Sequence, residues 1–145
     1  MRVALAEERD RADWLRLRVA LWPDARAESP AEISDILASP DLAALIARDA
    51  GGTAIGFAEI ALRRDYVNGC ETSPVGFLEG IFVALEARRQ GVARALVDAA
   101  AEWVRSKGCT EFASDADISN DASHRMHAAL GFSETQRVVY FRKLV

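Results

Sequence analysis

The chain has 145 residues, half of them hydrophobic, and a formal net charge of −4. That length suits one domain with a real core over residues 1–145 and leaves no room for a second. The acidic balance argues mildly against nucleic acid as a partner and mildly for a cationic one.

In chain order, "MRVALAEERD" has no sustained apolar segment with a cleavage site, and no later run reaches the length of a membrane span. A soluble, cytoplasmic protein without membrane contact is the expectation. "RVALA" reads as a short first strand. "DRADWLRLRVALW" puts Trp14, Leu17 and Leu21 on one helical face, with Leu15, Val19 and Trp22 beside it and Pro23 as the stop. "SPAEISDILASP" predicts a second helix with Ser29 as N-cap, Pro30 at its first position and Glu32 completing a capping box. Two apolar runs around Asp49 to Gly52 predict a β-hairpin. Another pair of strands flanks "RRDYVNGCETSP", the second of them being "VGFLEGIFVA".

A helix follows from Gly91 to about Ser106, then a strand in "TEFASDA", a helix in "NDASHRMHAAL" closed by Gly131, and a final strand in "TQRVVYFRKL". The alternation in the second half predicts an α/β (α+β) domain, a mixed sheet covered by helices. Cys70 and Cys109 fit no metal-binding spacing and read as free, partly buried thiols, with a disulfide left open by spacing alone.

The most informative stretch is "LEGIFVALEARRQGVARALVDAA", from Leu78 to Ala100. An apolar strand ends in arginines around one glycine, and a helix begins there. Unpaired N–H groups and the positive dipole end of such a helix suit an anion, and glycine lets it come close. The join lacks both G-x-x-x-x-G-K-[ST] and G-x-G-x-x-G, which excludes a nucleotide-hydrolysing P-loop and a dinucleotide fingerprint. Local physics leaves two readings open: a cradle for some other phosphate, or a capped helix with arginines on a solvated face.

Glu79 stands in the otherwise apolar "GFLEGIFV", where an ionised carboxylate is costly unless it meets a cation or an open cleft. Asp115 follows a strand, where turn duty is the usual explanation, and Asn120 is placed to cap a helix. His124 and His127 are three apart on a helix, but no third ligand stands out and no metal is expected.

These residues carry a resemblance. Val83, Arg88, Gly91 and Ala93 match the V-x-P-x-x-R-x-x-G-x-G/A signature of the GNAT N-acetyltransferase superfamily, with Leu85 where proline is usual, and "NDASHRMHAALGF" resembles its second landmark. Such a likeness implies the GNAT fold: a mixed, mostly antiparallel sheet splayed between two central strands and flanked by about four helices. It also implies that acetyl-CoA lies in the wedge. The implied cofactor residues are Ile81, Phe82 and Val83 on the strand, Arg88, Arg89, Gln90, Gly91, Val92, Ala93 and Arg94 at the turn, and Asn120.

A narrower resemblance covers nearly the whole chain. "DWLRLRVALWPD", "RDYVNGCETSPVGFLEGIFV", "EFASDADISNDASHRMHAALGF" and "ETQRVVYFRK" are similar to the aminoglycoside 6'-N-acetyltransferases, which confer antibiotic resistance. The implied partners are acetyl-CoA and a polycationic drug in an aromatic and acidic cleft formed by Trp22, Tyr66, Glu79 and Asp115. Gln136 aligns with a family glutamate, so one acidic contact is missing, and Glu134 is the nearest replacement. The family is commonly homodimeric through its C-terminal strands. Competing readings are an acetyltransferase for another small amine, such as a polyamine, and a non-catalytic acyl-CoA-binding domain.

An alkylamine is protonated at neutral pH and must lose its proton before it attacks a thioester. Glu79 and Asp115 are the candidate bases, unranked by sequence. By resemblance, a backbone N–H within Ile81 to Val83 stabilises the oxyanion, and His127 stands where the superfamily often has a tyrosine acid.

Overall fold

The computed structural model describes all residues 1–145. Its sheet contains β1 (Arg2–Leu5), β2 (Leu42–Arg48), β3 (Ala54–Arg63), β4 (Val75–Val83) and β5 (Phe112–Ser114), in that spatial order. The first three pairings are antiparallel and β4–β5 is parallel. The helices are α1 (Arg11–Leu21), α2 (Ser29–Ala38), α3 (Val92–Ser106) and α4 (Asp121–Ala129).

The two faces of β2 serve two cores, as its period of two requires. Ala43, Leu45 and Ala47 join a cluster with Val92, Leu96, Val97 and Ala100 of α3. Ala44 and Ile46 join Trp14, Leu17 and Ile33 from α1 and α2 on the opposite face. The apolar stripe of α3, Val92, Leu96, Val97, Ala100 and Val104, is fully buried, as its helical spacing predicts. Asp49 closes the β2–β3 hairpin by accepting from the N–H groups of Gly51 and Thr53.

Two local expectations are corrected. Ser29 is the first residue of α2 rather than its cap, and no capping box forms with Glu32. The Ser29 hydroxyl is buried, donates to the Ala25 carbonyl and accepts from Arg18, so a tertiary partner displaces the local capping bond. The final strand predicted over 135–144 is absent. Residues 132–145 form no regular element, and Tyr140 and Phe141 are exposed, the latter by 91%. An alternating apolar segment becomes a strand only when a neighbouring edge supplies ladder bonds and a face to cover, and within one chain it finds neither.

At the centre of the sheet, Glu59 pairs with Gly80 and Ile60 with Leu78, so Glu79 is an extra residue bulged out of the β3–β4 ladder. The β4–β5 pairing ends one residue earlier, at Leu78 and Ser114. A bulge bends its strand and re-aims the bulged side chain. The burial of β4 changes at that point, from four buried residues over 75–78 to exposed and half-buried positions from Glu79 onward.

Candidate active site

Beside the bulge lies a cavity of about 430 Å3 whose lining includes Trp22, Glu32, Asp35, Glu59 and Glu79. Four carboxylates on one wall suit a polycation. The Trp22 ring closes the floor: it lies edge-on to Phe57, with ring centroids 6.0 Å apart, and directly over Gly80. A Cβ at position 80 would overlap ring carbons Cζ2 and Cη2. Gly80→Ala therefore pushes the indole away from β4. We expect a several-fold higher KM for the amine substrate with little change in acetyl-CoA affinity, measured by steady-state kinetics and calorimetry.

Behind the cavity wall is a buried ion pair. The Arg18 Nε donates to Glu59 Oε1 at 2.7 Å and the Trp14 Nε1 donates to the same oxygen at 2.9 Å. Arg18 also pairs with Glu32 at the cavity edge and sits 4.9 Å from the centroid of Trp22. Burial disfavours the Arg18 charge, but Glu59 and Glu32 outweigh it and raise its pKa above the ordinary value.

Glu79 is gripped by Arg63, whose Nε and Nη2 donate to its two oxygens at 3.0 and 2.8 Å while the guanidinium lies over Phe77. Asp115 is exposed and follows the last β5 rung, so it and Glu79 each stand one residue past the Leu78–Ser114 pair on neighbouring strands. His127 reaches the same place from α4, with Nε2 2.7 Å from Ser114 Oγ. Asn120 caps α4 by accepting from the Ser123 N–H at 3.1 Å. His124 turns instead to the Asp117 carbonyl, 3.0 Å from its Nε2.

Three of the predicted substrate residues, Asp115, Tyr66 and Gln136, do not line the cavity. Tyr66 is 73% exposed on the loop between β3 and β4, and Gln136 is exposed in the tail. The neighbouring segments do meet, because Thr135 packs on Gly69. That loop is clasped by Glu111, which accepts from the N–H groups of Glu71 and Thr72 and from the Thr72 hydroxyl. The hydroxyl contact is the main cause of a Glu111 carboxyl held below its usual range. Sequence reasoning missed Arg18, Glu59, Arg63 and Ser114, whose roles are created by packing. A charged Glu59 within the apolar "AIGFAEIAL" was the available signal for one of them.

On the far side of the split, Gly91 precedes α3 with φ +80° and has open space where a Cβ would be. Arg89 is also left-handed, at φ +61°. The first satisfied amide of the helix is that of Ala95, donating to the Gly91 carbonyl at 3.0 Å; those from Arg89 to Arg94 have no acceptor in the chain. Arg88 and Arg89 are exposed beside them. This open array fits the pyrophosphate of a CoA thioester, and the split between β4 and β5 is the natural channel for its extended arm.

A splayed sheet, an open helix mouth and an acidic cavity beside the bulge define an acyl-CoA-dependent N-acyltransferase. Residues 9–132 match the model of the acetyltransferase (GNAT) family, and the chain belongs to that family. Within it, the chain belongs with the aminoglycoside N(6')-acetyltransferases. It is 57% identical over 131 residues to the type 1 enzyme of Serratia marcescens, covering 90% of each chain. The crystal structure of an aminoglycoside 6'-N-acetyltransferase from Acinetobacter haemolyticus superposes with TM-score 0.94 at 47% identity, covering all of this chain and 99% of the other. AAC(6')-Iy, solved with the bisubstrate analogue CoA-S-monomethyl-acetylneamine, superposes with TM-score 0.95 at 43% identity, over 99% of this chain and 98% of its own. No helix here is long and apolar enough to cross a membrane.

Proposed function

We propose that this chain transfers acetyl from acetyl-CoA to the 6'-amine of aminoglycoside antibiotics by direct attack in a ternary complex, and so confers resistance. The observation that carries the reading is the position of the bulge: Glu79 leaves the sheet where β4 parts from β5, between the acidic cavity and the unpaired amides of α3. A polycation and a polyanion can then approach one point from opposite sides. Glu32, Asp35 and Glu79 grip the ammonium groups, and Trp22 supplies a flat apolar wall.

Asp115 is the base in this proposal. Glu79 already shares both oxygens with Arg63, which makes it the poorer proton acceptor, whereas Asp115 stands exposed at the split. A backbone N–H within Ile81 to Val83 polarises the acetyl carbonyl, and His127 supplies the acid for the leaving thiolate. When bound, acetyl-CoA contributes the activated thioester. Arg88 to Arg94 hold its phosphates with backbone amides and guanidinium groups.

Gly91→Val places a β-branched side chain in the left-handed region and in the open space above the turn. A loss of acetyl-CoA affinity of about five- to 150-fold is expected by calorimetry, from about 1–3 kcal/mol of strain and obstruction. Unchanged affinity would count against the phosphate site.

We further propose that the enzyme works in the cytoplasm as a homodimer. The exposed apolar side chains of Val139, Tyr140 and Phe141 have no covering partner within the chain, and β5 ends the sheet with a short open edge. A second copy would supply a matching edge and bury this tail.

The test of function is thiol release from acetyl-CoA with kanamycin or tobramycin, with 6'-hydroxy aminoglycosides, spermidine and a lysine peptide as comparisons. Release with the 6'-amino drugs alone is expected. Preference for spermidine or the peptide would replace the drug reading by another amine. Acetyl-CoA binding with no acceptor used would leave a regulatory domain.

A further inference from the structure

The last rung joining β4 to β5 is Leu78–Ser114, which makes Ser114 the residue at the apex of the split. Its hydroxyl lies 2.7 Å from His127 Nε2 and 3.5 Å from the Leu78 carbonyl oxygen. The other ring nitrogen, Nδ1, is 2.7 Å from the Ser123 carbonyl oxygen and 3.2 Å from the Ser123 hydroxyl. A carbonyl only accepts, so the neutral ring carries its hydrogen on Nδ1 and Nε2 is left to accept the hydrogen of Ser114. Phe132 braces the ring edge-on, with centroids 5.3 Å apart. The imidazole is thus fixed in place, with its one reactive nitrogen held on the Ser114 hydroxyl.

We propose that Ser114 hands the departing CoA thiolate its proton, with His127 behind it as the source. The proposal rests on the acetyl-transfer reading and adds a residue to it. When the imidazole is charged, both ring nitrogens donate, and Nε2–H donates to Ser114 Oγ. The serine hydrogen is then released from the ring and turns toward the wedge.

As the tetrahedral intermediate collapses, the C–S bond breaks and its electron pair stays on sulfur. The Ser114 hydrogen passes to that sulfur. The imidazolium returns a hydrogen from Nε2 to the serine oxygen and ends neutral, protonated on Nδ1. The acceptor nitrogen gives up two protons, one before attack and one as the adduct collapses; through water, one recharges the imidazole and the other is released.

The test compares acetyl-CoA with its selenoester analogue in wild type, S114A, S114T and H127Q, with tobramycin as acceptor. A selenolate is a weaker base than a thiolate and leaves without help from an acid. S114A and H127Q are expected to lose about 10²-fold in kcat with acetyl-CoA and little with the selenoester, whereas S114T, which keeps the hydroxyl, retains most of the wild-type rate. Acetyl-CoA affinity is expected to stay within about twofold of wild type by calorimetry, the dyad acting on the proton rather than on binding.

Nitrogen-15 spectra of the free protein supply a readout independent of turnover. The neutral His127 ring is expected to carry its hydrogen on Nδ1, and the Nε2 resonance is expected to move in S114A. Equal slowing with both donors, full activity of S114A, or a neutral ring protonated on Nε2 would overturn the relay. If H127Q does not fold, S114A alone decides. A wild type inactive on every aminoglycoside counts against the proposed function instead, and the nitrogen spectra then decide the dyad separately.

Discussion

Replacing Arg18 by methionine is expected to cost the fold about 3–5 kcal/mol, the usual penalty for stripping one partner from a buried ion pair. Arg18 is 5% exposed and Glu59 4% exposed, and every polar contact of the pair is internal. With the guanidinium gone, Glu59 keeps only the Trp14 indole as donor, and its buried charge is left unpaired beside the other carboxylates of the cavity. Methionine approximates the volume, so the loss is electrostatic rather than a cavity. The paired change R18M/E59L removes both charges and is expected to recover most of the stability. Urea denaturation of wild type, R18M and R18M/E59L checks this, and R18M within about 1 kcal/mol of wild type would sink it. The stabler double mutant should still acetylate poorly. Arg18 is what links Glu59 to Trp22 and Glu32, and without it the cavity wall loses its anchor.

The second large effect is on chemistry. Asp115→Asn keeps the shape and removes the basic oxygen, and kcat toward a 6'-amino aminoglycoside is expected to fall about 10²–10⁴-fold. Acetyl-CoA affinity should be nearly unchanged, since the phosphate site is built on α3 and its preceding turn. Glu79→Gln is expected to act chiefly on KM, because that carboxylate grips the cation while already sharing Arg63. Steady-state kinetics on both variants separates the roles. Equal kcat in Asp115→Asn and wild type would remove Asp115 from proton transfer and leave Glu79 or a water path as the base.

Much of the site was legible because its residue types are costly in their local setting. A carboxylate within "GFLEGIFV" and arginines around a glycine at a strand-to-helix join each demand an explanation that local structure does not supply. The resemblance supplied the ligand. The α3 stripe and the Asp49 turn were equally plain, since both depend on neighbours a few residues away.

Other features could not be read in this way. Ser29 looked like a cap, but Arg18, eleven residues earlier, claims its hydroxyl. The C-terminal segment has the alternation of a strand and forms none, because a ladder needs an edge that this chain alone does not offer it.

By itself, then, the sequence determined the order of helices and strands up to Gly131, the amphipathic faces that bury them, and the chemical types needed to hold a polyanion and a polycation. Those properties follow from periodicity and from the cost of charge, which act over short distances along the chain. Only the tertiary structure decided that Glu79 is the bulged residue, that Arg63 already holds it, and that Ser114 and His127 meet at the apex of the split. Each of these depends on register between strands or on contact between elements distant in sequence, and a one-residue slip would undo it.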